Sequence, residues 1–105
     1  MSNPDRRRAQ RIALKQAVCV VLGDGGYEVP AVTENFSSDG VLLYADQFIP
    51  EGSEAGLLLA LPQMEETEAK RVWCFGKVLR VEKELREGKF GIAVAFQRYQ
   101  ELSQA

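Results

Sequence analysis

Six short β-rich segments separated by tight turns predict an all-β fold, either a barrel or a sandwich. Three observations carry this expectation. Apolar and polar residues alternate with a period of two, β-branched residues concentrate in the apolar runs, and Gly, Pro, Asn, Asp and Ser cluster between those runs. Closing the sheet would also remove exposed strand edges, which a chain of 105 residues otherwise has to protect.

The first strand is expected over residues 13–22, ending at the turn Gly23-Asp24-Gly25-Gly26. Tyr27 to Glu34 reads as the returning strand, with Pro30 marking an edge position or a bulge. Asn35-Phe36-Ser37-Ser38-Asp39-Gly40 is a turn cluster, and Val41 to Ala45 is a third strand. Ile49-Pro50-Glu51-Gly52 breaks the chain before a fourth, Gly56 to Leu61, and the acidic stretch Gln63 to Ala69 is turn-like. Lys70 to Lys83 makes a long fifth strand, in which Trp73, Phe75, Leu79 and Val81 share one parity and Val72, Cys74, Gly76 and Val78 the other. After a turn over Leu85 to Lys89, Phe90, Ile92, Val94 and Phe96 alternate with Gly91, Ala93 and Ala95 in a sixth strand. The small residues on that second face would admit another backbone or a ligand. The tail from Gln97 to Ala105 has room for one or two helical turns.

Length and charge narrow the function classes. The chain suffices for one domain with a single core. No apolar run approaches the roughly 20 residues of a membrane-spanning helix, and the opening Met1-Ser2-Asn3-Pro4-Asp5-Arg6 lacks the apolar stretch of a secretory signal, so a cytoplasmic protein is expected. The net charge of −2 conceals an asymmetry. Residues 1–15 hold five basic groups (Arg6, Arg7, Arg8, Arg11 and Lys15) against Asp5, a balance of +4. In residues 16–105 the other 8 basic groups face 14 acidic ones, a balance of −6. An acidic body repels long DNA or RNA, whereas a basic arm suits a short, compact anion.

Catalysis and metal binding find little support in the residues. There is no histidine, and the spacing of Cys19 and Cys74 fits no zinc pattern. Both cysteines fall inside expected strands and read as small buried hydrophobes; a disulfide is not expected in a reducing compartment. Glu65, Glu66 and Glu68 read as a solvated acidic turn. No catalytic residue, metal or cofactor is expected. Trp73, Phe75, Phe90 and Phe96 fall at parities that suit a core better than a basic groove for single-stranded nucleic acid. For Trp73, packing on a bound ligand is the alternative.

Two short motifs carry chemistry. The first is Arg6-Arg7-Arg8-Ala9-Gln10-Arg11, directly before the first strand. Arginine presents a planar fork of donors that matches phosphate oxygens and the O6/N7 edge of guanine, and its flat face stacks on a base. The second is the turn Asn35–Gly40. The Asn35 amide offers an acceptor and two donors, Ser37 is placed to donate or to tie down its own turn, and Gly40 permits a positive φ or a close backbone approach to a ligand.

Taken together, Arg7-Arg8-Ala9-Gln10-Arg11 in the pattern RxxxR, extended by Arg6 to RRxxxR, followed after one hairpin by Asn35-Phe36-Ser37-Ser38-Asp39-Gly40 in the pattern [D/N]xSxxG, resembles the PilZ domain family. Gly76-Lys77-Val78 and Phe90-Gly91-Ile92-Ala93-Val94-Ala95-Phe96 are similar to that family's later strands. The resemblance implies a six-stranded antiparallel barrel over residues 13–105 with a flexible ligand-binding arm over residues 1–12. It implies a receptor for cyclic di-GMP, a bacterial second messenger tied to motility or biofilm regulation. By that analogy Arg7 and Arg11 hold phosphates and guanine faces with Arg6 helping, Asn35 and Ser37 read a guanine edge, and Gly40 shapes the loop. The family more often has Asp at the Asn35 position.

The arm lacks apolar periodicity, so it is expected to be disordered without ligand and to order on binding. Ordering costs about 1–2 kcal/mol per residue, which caps the affinity near micromolar, about −8 kcal/mol. The expected partners are the dinucleotide and a downstream protein; a closed barrel with a short tail favours a monomer. The alternative is a barrel of the same type that docks on a protein without binding nucleotide.

Overall fold

The computed structural model describes residues 11–23, 26–61 and 70–102. Seven strands follow one another: β1 (Ile12–Ala13), β2 (Ala17–Leu22), β3 (Tyr27–Ser37), β4 (Gly40–Ala45), β5 (Glu54–Leu61), β6 (Lys70–Arg86) and β7 (Lys89–Glu101). All pairings are antiparallel, and the ladder β3-β2-β5-β6-β7-β4 returns to β3, so six strands close into a barrel. The short β1 extends the same edge of β3 that β2 occupies, pairing Ile12 with Phe36 and Ala13 with Asn35. The alternation legible in the sequence sorts the two faces. Val20, Val29, Leu43, Leu57, Cys74 and Ile92 are fully buried, and Ile49 fills the core from the loop after β4.

The single first strand expected over residues 13–22 is interrupted at Leu14–Gln16. The buried Thr33 bridges the gap: its hydroxyl donates to the Leu14 carbonyl and accepts the Gln16 N–H at 2.9 Å. The Gln16 side chain then spans the shortest seam of the barrel. There β2 and β5 pair only through Val21–Gly56 and Leu22–Ala55, and the Gln16 amide bonds both backbone groups of Ala60 further along. Pro30 stands where its missing donor does least harm. Its carbonyl accepts the Asp46 N–H at 3.2 Å, just past the last β3–β4 pair, Ala31–Ala45.

Four expectations are corrected by the register. The helical turns expected after Gln97 are absent as far as Glu101, because β7 continues along β6 with Arg98 opposite Phe75, Tyr99 opposite Cys74 and Glu101 opposite Val72. A helix there would leave the backbone groups of the first half of β6 without partners on that side. Leu79 and Val81 do not share a face. The ladder shifts between Val78 and Arg80, so Leu79 is the extra residue of a bulge, 66% exposed, while Val78 and Val81 both point inward. Trp73 is not core: Val72 and Cys74 take the inward positions, and the Trp73 ring stacks on Phe75 outside the barrel at 5.9 Å. Of the two free cysteines Cys74 is buried and Cys19 exposed, since Val20, its neighbour on β2, faces the core.

Candidate functional site

The polar motif Asn35–Gly40 is mostly strand. Asn35, Phe36 and Ser37 end β3, Gly40 opens β4, and only Ser38 and Asp39 turn. Ser37 is buried, and its hydroxyl accepts the Asp39 N–H at 3.1 Å, fixing the turn. The Asp39 carbonyl accepts the Phe96 N–H at 2.8 Å, which ties the turn to β7. Gly40 answers a packing constraint of the barrel and not the need for a positive φ. Its φ is not among the positive values found at Gly23, Gly52 and Gly88, and its close approach is to β7: an added Cβ would stand 2.2 Å from the Val94 carbonyl oxygen. Gly76 answers the same constraint further along, where a Cβ would lie 1.9 Å from the Ala95 oxygen.

Pairing of β1 with the end of β3 delivers Arg11 to this hairpin. Its Nε donates to the Asn35 carbonyl oxygen Oδ1 at 2.6 Å, and its Nη1 donates to the Ser37 hydroxyl at 3.4 Å. Two motifs separated by a full hairpin in sequence therefore meet side chain to side chain. Arg6 and Arg7, with the rest of the run to Gln10, lie outside the described residues.

Beside this contact is an open hollow of about 420 Å³, lined by Arg11, Asn35, Asp39 and Gly40 on one side and by Leu79, Arg80, Ala93 and Ala95 on the other. The small residues of β7 form part of its wall, as their parity suggested. Leu79 and Arg80 escaped the sequence reading because the bulge that turns them outward is a property of the β6–β7 register. No local signal set Arg80 apart, since β6 carries several other charged residues. Two guanidinium groups against one carboxylate leave the rim with an excess of positive charge, which suits an anion.

A second open cleft, about 540 Å³, lies elsewhere on the barrel wall against Trp73, Phe75, Gly56 and Arg98, whose guanidinium sits 4.1 Å above the Phe75 ring. It shares no lining residue with the first. Among the described residues, no group of three or more His, Cys, Asp or Glu side chains is placed to hold a metal ion, and no helix is long and apolar enough to cross a membrane.

A closed barrel of six antiparallel strands, with an arginine directly before a short lead-in strand laid against β3, is a PilZ-type barrel. The chain belongs to the PilZ domain family, whose model matches residues 5–105. No curated protein matches the sequence. Among solved structures, that of the Bacillus subtilis inhibitor of motility (MotI/DgrA) superposes with a TM-score of 0.71 at 18% sequence identity. The match covers 89% of this chain and 43% of that one, so the present chain spans less than half of that protein. The likeness is one of fold. Domains of this family are generally receptor or adaptor modules rather than catalysts.

Proposed function

We propose that this protein is a non-catalytic receptor for cyclic di-GMP, seated in the hollow between the β3–β4 hairpin and the bulge of β6. The observation that carries the reading is the convergence of Arg11 on Asn35 and Ser37 at the rim of a hollow with excess positive charge. Arg11 is exposed, and of the five donors of its guanidinium two are engaged among the described residues. Arg7 is tethered four residues away, within about 14 Å of Arg11 along the chain, so it can close over a ligand resting there, with Arg6 beside it. Ordering of the arm over the barrel is the output switch, presenting a new surface to a downstream protein in the cytoplasm. The structural neighbour is an inhibitor of motility, which makes motility the first output to examine.

Isothermal titration with cyclic di-GMP tests the assignment. The wild type should bind near micromolar, about −8 kcal/mol, and Arg7→Ala and Arg11→Ala should each abolish binding while the barrel stays folded. Unchanged affinity in both variants would refute it. The switch is tested separately by NMR, where amide signals from residues 1–10 should disperse and gain order on saturation; signals equally mobile in both states would sink it.

A second reading, a PilZ-type module that docks on a protein without nucleotide, draws on the open cleft against Trp73, Phe75 and Arg98. It predicts silence in the same titration.

A further inference from the structure

The outer face of the sheet around Trp73 differs in charge from the body that carries it. Val72, Cys74 and Gly76 of β6 are buried, so Arg71, Trp73, Phe75 and Lys77 take the outward positions. Register sets Arg98 of β7 opposite Phe75, and Glu54 of β5 opposite Lys77. Over this stretch of β5, β6 and β7, three exposed cations stand against one carboxylate among the described residues. Residues 16–105 as a whole carry the opposite balance, −6. Lys70 and Lys89, by contrast, are engaged by Glu101 and Asp46.

The aromatic part of this face is held in place. The Phe75 ring lies between Arg98, whose guanidinium is 4.1 Å from its centroid, and Gly56, where an added Cβ would come within 3.3 Å of the ring. The Trp73 ring runs nearly parallel to it, with 19° between the planes. Gly56 and Gly76 contribute no side chains to the open cleft of about 540 Å³, which has room for a few from outside. Tryptophan and arginine together are the residue types that anchor protein interfaces. A nucleic-acid strand needs cations that track its backbone. Here Arg98 is laid on Phe75 and Glu54 stands on the β5 side, so a few spaced carboxylates match the face better than a continuous row of phosphates.

We propose that this face docks an acidic segment of a partner protein, in which carboxylates flank one apolar or aromatic anchor. The anchor enters against Trp73 and Phe75, and the carboxylates meet Arg98 together with Arg71 or Lys77. The cleft shares no lining residue with the dinucleotide hollow. The inference therefore goes beyond the receptor reading and does not depend on it: docking here needs no nucleotide.

The experiment selects binders to the full chain, without nucleotide, from a phage-displayed library of random short peptides. Selected peptides should be enriched in aspartate and glutamate around a single large apolar residue. The most enriched one, synthesised, should alter the emission of Trp73, the only tryptophan in the chain. Replacing its carboxylates by amides should weaken binding by about tenfold or more, and so should Arg98→Glu in the protein. Arg98→Glu should leave the affinity for cyclic di-GMP as it is in the wild type. The melting temperature verifies the barrel, and should Arg98→Glu not fold, Arg71→Glu replaces it with the same criterion. Enrichment of basic or uncharged peptides, no enrichment, or peptide binding indifferent to Arg98→Glu overturns the inference. Oligothymidylate bound by the wild type and lost in Arg98→Glu would give the face to single-stranded nucleic acid. A concentration-dependent dimer dissolved by Arg98→Glu would give it to a second copy of the chain, and either result overturns the inference. If the wild type ignores cyclic di-GMP but binds the acidic peptide, the receptor reading falls and this inference stands.

Discussion

Gly40 and Val94 are in backbone contact across the β4–β7 seam: a Cβ on Gly40 would stand 2.2 Å from the Val94 carbonyl oxygen. Real Cβ atoms do not approach an oxygen so closely, and both partners are main chain, so neither can rotate away. The glycine of the polar motif is thereby explained by barrel closure, before any ligand is considered.

Gly40→Ala should therefore destabilise the fold by about 1–3 kcal/mol, the usual cost of overpacking. Urea denaturation of the variant, followed by the emission of Trp73, measures it. A variant within about 0.5 kcal/mol of wild type would mean that the seam opens freely at this point.

Ser37→Ala removes the acceptor of the Asp39 N–H and the second contact of Arg11. A loss of about 1 kcal/mol in stability is expected, together with weaker dinucleotide binding, because Arg11 is then steered by Asn35 alone. Ser37→Thr, which keeps the hydroxyl, should recover the larger part of the binding if the methyl fits. Parallel melting and titration of the two variants separate the hydroxyl from the packing.

Gln16 substitutes for strand pairing where β2 and β5 have little of their own. Gln16→Ala leaves both backbone groups of Ala60 without their side-chain partners and should cost about 1–3 kcal/mol. Gln16→Glu should do no better, since a carboxylate still accepts the Ala60 N–H but faces the Ala60 carbonyl with negative charge. Hydrogen exchange at Ala60, compared between wild type and Gln16→Ala, reports the opening of this seam directly.

The cysteines should behave differently toward alkylation and pH. Burial pushes the Cys74 thiol up to about 11, whereas Cys19 is exposed. In the native protein a thiol reagent at pH 8 should modify Cys19 and spare Cys74, and denaturation should expose both. The unfolded thiol releases its proton near 9 and the folded one near 11, so the unfolded state gains as pH rises between them. Stability is fully present below about pH 9 and falls as pH approaches 11. Tyr99, opposite Cys74, is also raised, chiefly by burial and then by the charges of Cys74 and Asp39, and acts in the same direction. The urea midpoint should drop between pH 8 and pH 10.5, and less so in Cys74→Val.

Much of the barrel is legible in the chain because the strand period is a local property. Phe90, Ile92, Val94 and Phe96 alternate with small residues, and the inward positions Ile92 and Val94 are indeed buried. The turns at Gly23 and Gly88 likewise follow from glycine's tolerance of a positive φ, whereas the positive φ of Glu87 has no counterpart in its residue type. The motif residues Arg11, Asn35 and Ser37 were legible as chemistry, and they come together in space.

Other features depend on the strand opposite, which no local pattern states. Leu79 reads as core by parity until the β6–β7 ladder takes an extra residue there and turns it, with Arg80, toward the hollow. Residues 97–101 carry no strong strand pattern and become strand because β6 has an edge to fill. Gly40 reads as a turn glycine and is instead a contact glycine.

Side-chain alternation, turn chemistry and the supply of arginines and amides reside in neighbouring residues, so composition and order suffice to state them. Which strand lies across, how near two backbones come and which way an amide points are settled only when segments tens of residues apart close the barrel. The physical reason is that hydrogen-bond register and close approach are relations between backbones, and those relations do not exist until the sheet has closed.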